Sequence, residues 1–134
     1  MTTRASGTFE VKMSPQSTDD RGEGAPLGRM SIDKQFRGDL DASSKGEMLT
    51  AGAIEKGSAG YVAIERVSGS LHGRSGTFAL QHHGTMTRGV PRLSIIVVPD
   101  SGTGELAGLT GEMTIDRDGG KHSYSFEYTL GQTG

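Results

Sequence analysis

Cysteine and tryptophan are both missing from the 134 residues, and proline occurs only 4 times. Without thiols the chain can carry neither a disulfide framework nor a zinc ribbon, and a thiolate nucleophile is excluded. Aromatic residues are few, with 3 Tyr and 4 Phe. Long hydrophobic runs are missing too. The longest purely aliphatic stretch is Ile95 to Val98, and the N-terminal MTTRASGTFEVKM has no continuous apolar segment. Neither a signal peptide nor a membrane-spanning helix is expected, and a cytoplasmic protein with no membrane partner follows as the expectation. Charge of one sign does not dominate: Lys+Arg 14 against Asp+Glu 16 leaves a formal charge of -2. The basic residues are scattered, so nucleic acid is not expected as a partner.

What the chain has in surplus is glycine. The 22 glycines in 134 residues, about 16%, are more than twice the roughly 7% of ordinary proteins. No three-residue period accompanies them, and with so little proline a collagen-like or low-complexity chain is excluded. The length suits one domain over residues 1–134 with a single sizeable core.

Periodicity points to strands nearly throughout. Ala5, Gly7, Phe9, Val11 and Met13 alternate with polar neighbours, as in a half-buried strand. The polar stretch Ser14 to Pro26 is expected to be a flexible loop. Further strands are predicted from Met30 to Arg37, Leu40 to Ile54 with a bulge near Gly46, Tyr61 to Ser70, Thr77 to Thr87, Leu93 to Val98, Glu112 to Asp116 and His122 to Leu130. Turns are expected at Glu55 to Gly57 and Asp118 to Gly120, and one helical turn fits between Gly104 and Leu109. A motif recurs: Gly69, Leu71, Gly73, Gly76, Phe78 and Leu80 return as Gly104, Leu106, Gly108, Gly111, Met113 and Ile115. Its glycines suit corners between strands, with Leu71 and Leu106 as plugs at the end of the core.

About eight short antiparallel strands imply a sandwich or a closed barrel, and closure is favoured because a meander of this size would otherwise leave long unpaired edges. The segments Tyr61 to Met86, Ser101 to Ile115 and Lys121 to Leu130 resemble a bacterial family of unknown function, domain-of-unknown-function family 3224. That family looks like the allene oxide cyclase barrel, which also includes plant cyclases and some bacterial polyketide cyclases. The resemblance implies an all-β fold, a single eight-stranded antiparallel β-barrel of meander topology, and leaves the chemistry open.

The polar residues that share a face with apolar ones are the candidates for chemistry. Parity turns His122, Tyr124 and Tyr128 inward from the last strand, and His82 inward with His83 outward from the fifth. In the strand from Tyr61 the faces are ambiguous, and Glu65 is placed inside with Tyr61. Lys34 joins them from the second strand. Lys34, Glu65 and His82 form a candidate acid/base set, since burial and mutual charge move pKa values toward useful ranges. Tyr61, Tyr124, Tyr128, His122, Phe78 and, at the barrel mouth, Glu47 are the candidate substrate-binding residues. No H-x-H or H-x-x-x-H spacing occurs, so no metal is expected, although His82, His122 and Glu65 together are the one distributed set to test. SGTGELAG lacks the context of a phosphate loop, and no G-x-S-x-G elbow occurs, so no cofactor or serine nucleophile is expected.

The reading is a cofactor-independent cyclase, isomerase or lyase acting on a small hydrophobic or carbonyl-bearing metabolite. Two alternatives stand beside it: a binding or carrier barrel for a hydrophobic metabolite, and a structural oligomer with a filled barrel. A homodimer is the expected assembly.

Overall fold

The structure, a computed structural model, describes residues 2–17, 22–53 and 56–131. Eight strands follow one another: β1 (Thr3–Gln16), β2 (Leu27–Gly38), β3 (Leu40–Ala53), β4 (Ser58–Leu71), β5 (Arg74–Thr87), β6 (Val90–Val97), β7 (Leu109–Asp118) and β8 (Lys121–Leu130). Each pairs with the next, and β8 returns to β1, so the sheet is a closed antiparallel barrel in meander order. A single 3-10 turn, Gly104–Leu106, lies inside the span where the sequence allowed one. No helix among the described residues is long and apolar enough to cross a membrane.

Strands run longer than their apolar cores suggest. β1 continues through Ser14 to Gln16 because the register Ser14↔Ser31 and Gln16↔Arg29 satisfies its backbone even where its side chains are polar. Residues 18–21 of the predicted loop, and residues 54–55 at the end of the third strand and the start of the following turn, lie outside the described residues. The bulge expected near Gly46 is absent, and the ladder runs unbroken through Ile32↔Gly46 and Gly46↔Glu65. Glycine is there for space: a Cβ at Gly46 would fall 2.1 Å from the Ile64 carbonyl oxygen.

Alternation along these strands fills the interior, as an eight-stranded barrel permits. Phe9, Phe36, Phe78, Phe126, Tyr124 and Tyr128 form its aromatic packing with Leu40, Val67, Leu80 and Met113. One end is plugged. Leu40, Leu71, Leu106 and Leu109 are all at most 1% exposed there. Leu106 reaches this position because the 3-10 turn lies against β5, where Gly76 has no side chain to hold it off. The repeated motif therefore takes two forms: the first copy is the β4–β5 hairpin, the second the 3-10 turn leading into β7. The other end is different. Met13 and Leu93 have inward parity yet are 47% and 44% exposed, and Met30, Met48 and Met86 beside them are only half-buried.

Candidate functional site

Midway down the barrel the apolar filling is interrupted by charge. Glu65 points inward from β4 and is fully buried. Its neighbours Ala63 and Val67 share that face, while Val62 and Ile64 are more than half exposed on the outer wall, which settles the parity of the strand. Three groups reach its carboxylate. Lys34 Nζ donates to Oε2 at 2.8 Å, Ser44 Oγ donates to Oε1 at 2.7 Å, and His82 Nε2 lies 2.6 Å from Oε2. The Lys34 ammonium also sits over the rings of Phe9 and Phe36, 5.1 and 5.6 Å from their centroids. Those ring faces give a buried cation a second source of negative potential.

Burial by itself would raise the Glu65 carboxyl. The hydrogen bond from His82 and the charge and hydrogen bond of Lys34 outweigh it, and the group is held down at about 2. This corrects the expectation that burial would bring the carboxylate into the range of a useful base: at neutral pH Glu65 is an anion with no proton to give and little appetite for one. Its bond to His82 then fixes the imidazole, because a bare carboxylate can only accept, so Nε2 carries the hydrogen. The other nitrogen, Nδ1, faces the Tyr61 hydroxyl at 3.4 Å. Burial, helped by the charge of Glu65, pushes the Tyr61 phenol up to about 12.

Tyr61 is the member of this chain nearest the open end. Its ring passes directly over Gly84, where a Cβ would lie 2.5 Å from Cε1. Glycine at 84 is a close-approach residue for the same reason as Gly46, and periodicity alone gave no sign of it. The four half-open methionines Met13, Met30, Met48 and Met86 complete the mouth from β1, β2, β3 and β5. Sequence reasoning passed over them, although their common inward parity near strand ends was a usable signal.

The remaining candidates do not join this cluster. Tyr124 is at the plugged end, where its hydroxyl accepts from Leu40 N (2.9 Å) and faces the carbonyls of Arg37 (3.0 Å) and Leu40 (3.2 Å). Tyr128 is also there, 2.5 Å from His72 Nδ1. Phe78 stacks on Phe126, with centroids 5.9 Å apart. His122 stacks on Phe9 at 5.0 Å, one ring removed from Lys34. Glu47 does not line the mouth. With no bulge at Gly46 it faces outward and is ion-paired with Arg29, whose Nε lies 2.7 Å away, beside an outer-wall groove of about 770 Å³. No three His, Cys, Asp or Glu side chains converge as metal ligands among the described residues. His82 Nε2 is engaged by Glu65 and His122 lies against Phe9.

The fold and the cluster together define a meander β-barrel with one plugged end, one open end and a buried ionic triad between them. The family described as "Protein of unknown function (DUF3224)" matches residues 5–128, and the chain belongs to it. A crystal structure of a protein of unknown function from the same family, from Shewanella oneidensis MR-1, is similar at 50% identity. The match covers 98% of this chain and 100% of that one, with a TM-score of 0.93. No curated protein matches the chain.

Proposed function

We propose that the open end binds a small apolar molecule through one of its oxygen or acidic carbon atoms and that Tyr61, His82 and Glu65 move a proton on it without a cofactor. One observation carries this reading: an ionised, fully buried Glu65 holds His82 by Nε2 at 2.6 Å and so turns Nδ1 toward the one phenol of the cluster at the mouth. Carboxylate, imidazole and hydroxyl stand in the order that activates a hydroxyl in acyl-transfer triads. Here the hydroxyl is a phenol. As Tyr61 Oη takes a proton from the ligand, its own proton passes to His82 Nδ1, and Glu65 stabilises the imidazolium. Running the relay backwards returns a proton to a different ligand atom, and the sum is an isomerisation, or a cyclisation or elimination if a ring closes or a group leaves in between. Lys34 and Ser44 hold Glu65 in its ionised form and touch no ligand.

The resemblance to cyclase-type barrels leaves the chemistry open, so this reading is supported by the geometry of the cluster alone. It is tested by a thermal-shift screen of apolar carbonyl compounds, followed by product analysis on every hit. Turnover is expected in the native protein and its loss in Tyr61→Phe and His82→Ala, with the melting temperature of Tyr61→Phe nearly unchanged. Hits that Tyr61→Phe converts as fast as the native protein would overturn the relay. The soft methionine mouth favours one second reading, a carrier, which predicts tight retention of a ligand in native mass spectrometry with no conversion by any variant.

A further inference from the structure

The outer wall of the barrel is polar on one side and carries bare aliphatic side chains on the other. Among the described side chains every outward position on β1, β7 and β8 is polar or charged. On β3 and β4, by contrast, Leu49, Val62 and Ile64 point outward and are 55%, 53% and 56% exposed. They are contiguous: Leu49 is the register partner of Val62, and Val62 and Ile64 follow one another on the same face of β4. The groove of about 770 Å³ noted above runs along them, with Gln81 and His83 of β5 on its far side. Single aliphatic side chains on a surface need no explanation, but a contiguous set marks a contact.

Backbone pairing limits what can cover this face. β4 is in register with β3 over 14 pairs and with β5 over 13, so it has no free edge for an extended peptide to join as a strand. A partner must meet the wall side chain to side chain, as one sheet packs on another. The charges then select a second copy of the chain. Successive outward rows across β3 and β4 are Ala51 with Gly60, Leu49 with Val62, Glu47 with Ile64, and Lys45 with Arg66. A two-fold axis across the strands, between the two middle rows, lays Val62 on the partner's Ile64 and Ile64 on the partner's Val62. The same rotation brings Lys45 and Arg66 over the partner's Ala51 and Gly60, which carry no charge, and sets His83 beside the partner's Gln81, a donor and acceptor pair. Glu47, which comes to lie over the partner's Leu49, is already neutralised by Arg29 of its own chain. An axis along β4 would instead press Arg66 on the partner's Arg66. Two barrels meet along about three strands, a strip about 14 Å wide and, over Ser58 to Ser68, about 34 Å long. That is roughly 500 Å² a side, near the lower bound of specific interfaces, and it suits a dimer in reversible exchange with its monomer.

We infer that the chain forms a two-fold dimer through the outer faces of β3, β4 and β5, with Val62 and Ile64 of each copy packed on Ile64 and Val62 of the other. The inference uses outward side chains alone and is independent of the ligand-binding reading above. Sedimentation velocity of the full chain from about 1 μM to about 1 mM tests it. The native protein is expected to pass from monomer to dimer within that range. Val62→Glu and Ile64→Lys are each expected to weaken association about hundredfold, because the symmetry repeats every change twice. Both side chains already face water in the monomer, so melting curves at the dilute end of the range should nearly coincide with that of the native protein. An equimolar mixture of the two variants is expected to restore the dimer, since the acid of one chain then meets the amine of the other across the axis. A native protein that stays monomeric up to about 1 mM would overturn the inference. So would association unchanged by either substitution, or a mixture no more dimeric than its components.

Discussion

Glu65 shows how much one buried charge can constrain. Taken into the barrel alone, a carboxylate would cost many kcal/mol, and it is tolerated because Lys34, Ser44 and His82 all reach it. Removing the charge strands its partners. Glu65→Gln is expected to cost about 3–5 kcal/mol in guanidinium unfolding, because the Lys34 ammonium, with a side chain only 6% exposed, loses its counter-ion. Adding Lys34→Met should recover part of that loss, since two neutral residues need no mutual compensation. The same group sets an acid limit. Its pKa is about 2 in the folded protein against an ordinary 4.5, so its contribution is fully present above about 4.5 and is lost as pH falls through 2. The native protein should therefore shed roughly 3 kcal/mol over that window, at about 1.36 kcal/mol for each pH unit between the two values, and Glu65→Gln should lack this component. Stability titrations of the two proteins at pH 2 to 6 would show parallel curves if the assignment were wrong. That Lys34 and His82 face the interior was legible in their alternation with apolar neighbours, whereas Glu65 lies on a strand with apolar residues on both faces, and only the exposure of Val62 and Ile64 in the folded barrel decides its parity. The direction in which the Glu65 pKa moves was not legible either, because it depends on three donors supplied by β2, β3 and β5 across distances no periodicity encodes.

Between β6 and β7 the chain solves an edge problem with the connecting segment instead of a strand. β6 pairs with β5 only from Leu80 to Thr87, and beyond that the first half of β5 is met by main-chain amides of the connection, Val98 N donating to the Ala79 carbonyl oxygen at 2.9 Å and Thr103 N to that of Thr77 at 2.8 Å. The connecting segment lies along it. Ser101 Oγ accepts from Ala79 N at 3.0 Å, Thr103 Oγ1 from Thr77 N at 3.0 Å, and Glu105 Oε1 from Ser75 N at 3.1 Å. Three oxygens spaced two residues apart thus match three amides spaced two apart, the repeat of a strand edge. Ser101→Ala, Thr103→Val and Glu105→Ala combined should cost about 2–3 kcal/mol, at about 1 kcal/mol per bond, and should speed hydrogen exchange at Ser75, Thr77 and Ala79 while leaving β3 amides unchanged. The strands and most turns were readable because alternation and glycine mark them directly. This strap was not: SGTGELAG carries no apolar repeat, its glycines suggest a loop, and the match to β5 exists only once the barrel has closed. The missing bulge at Gly46 and the outward turn of Glu47 have a similar cause, since a strand glycine signals either a bulge or a close approach and only the neighbouring strand decides between them.

On the scale of the whole molecule the two ends are built for different work. At the plugged end the connections are locked together: Asp39 N bonds to the Ser6 carbonyl oxygen, His72 N bonds to that of Asp39, and the side chain of His72 is 2.5 Å from the Tyr128 hydroxyl and 3.6 Å from the Asp39 carboxylate. This joins the β2–β3 and β4–β5 turns to β1 and β8, the strands that close the barrel. His72 holds a left-handed backbone, φ 48, to make the tight turn with Gly73. At the open end, among the described residues, the backbone bonds between turns join neighbours, as where Gly89 N bonds to the Gly57 carbonyl oxygen at 2.8 Å. Closure of the cylinder then depends on two seams of unequal strength, seven register pairs between β1 and β8 and two between β6 and β7. Opening should begin at the weaker one, because parting there breaks little backbone pairing and exposes side chains that already meet solvent, Leu93 among them. Native-state hydrogen exchange is expected to place the amides of residues 90–94 and 114–118 that face the β6–β7 seam in the fastest class of strand amides, roughly tenfold or more above the β3–β4 ladder, the rate equivalent of one hydrogen bond lost. Tyr128→Phe should loosen the opposite end by about 1 kcal/mol without changing the exchange of that seam, since the two lie at different ends of a packed core. Uniform exchange around the barrel would mean that the wall opens as one unit, and that the asymmetry of the ends has no dynamic counterpart.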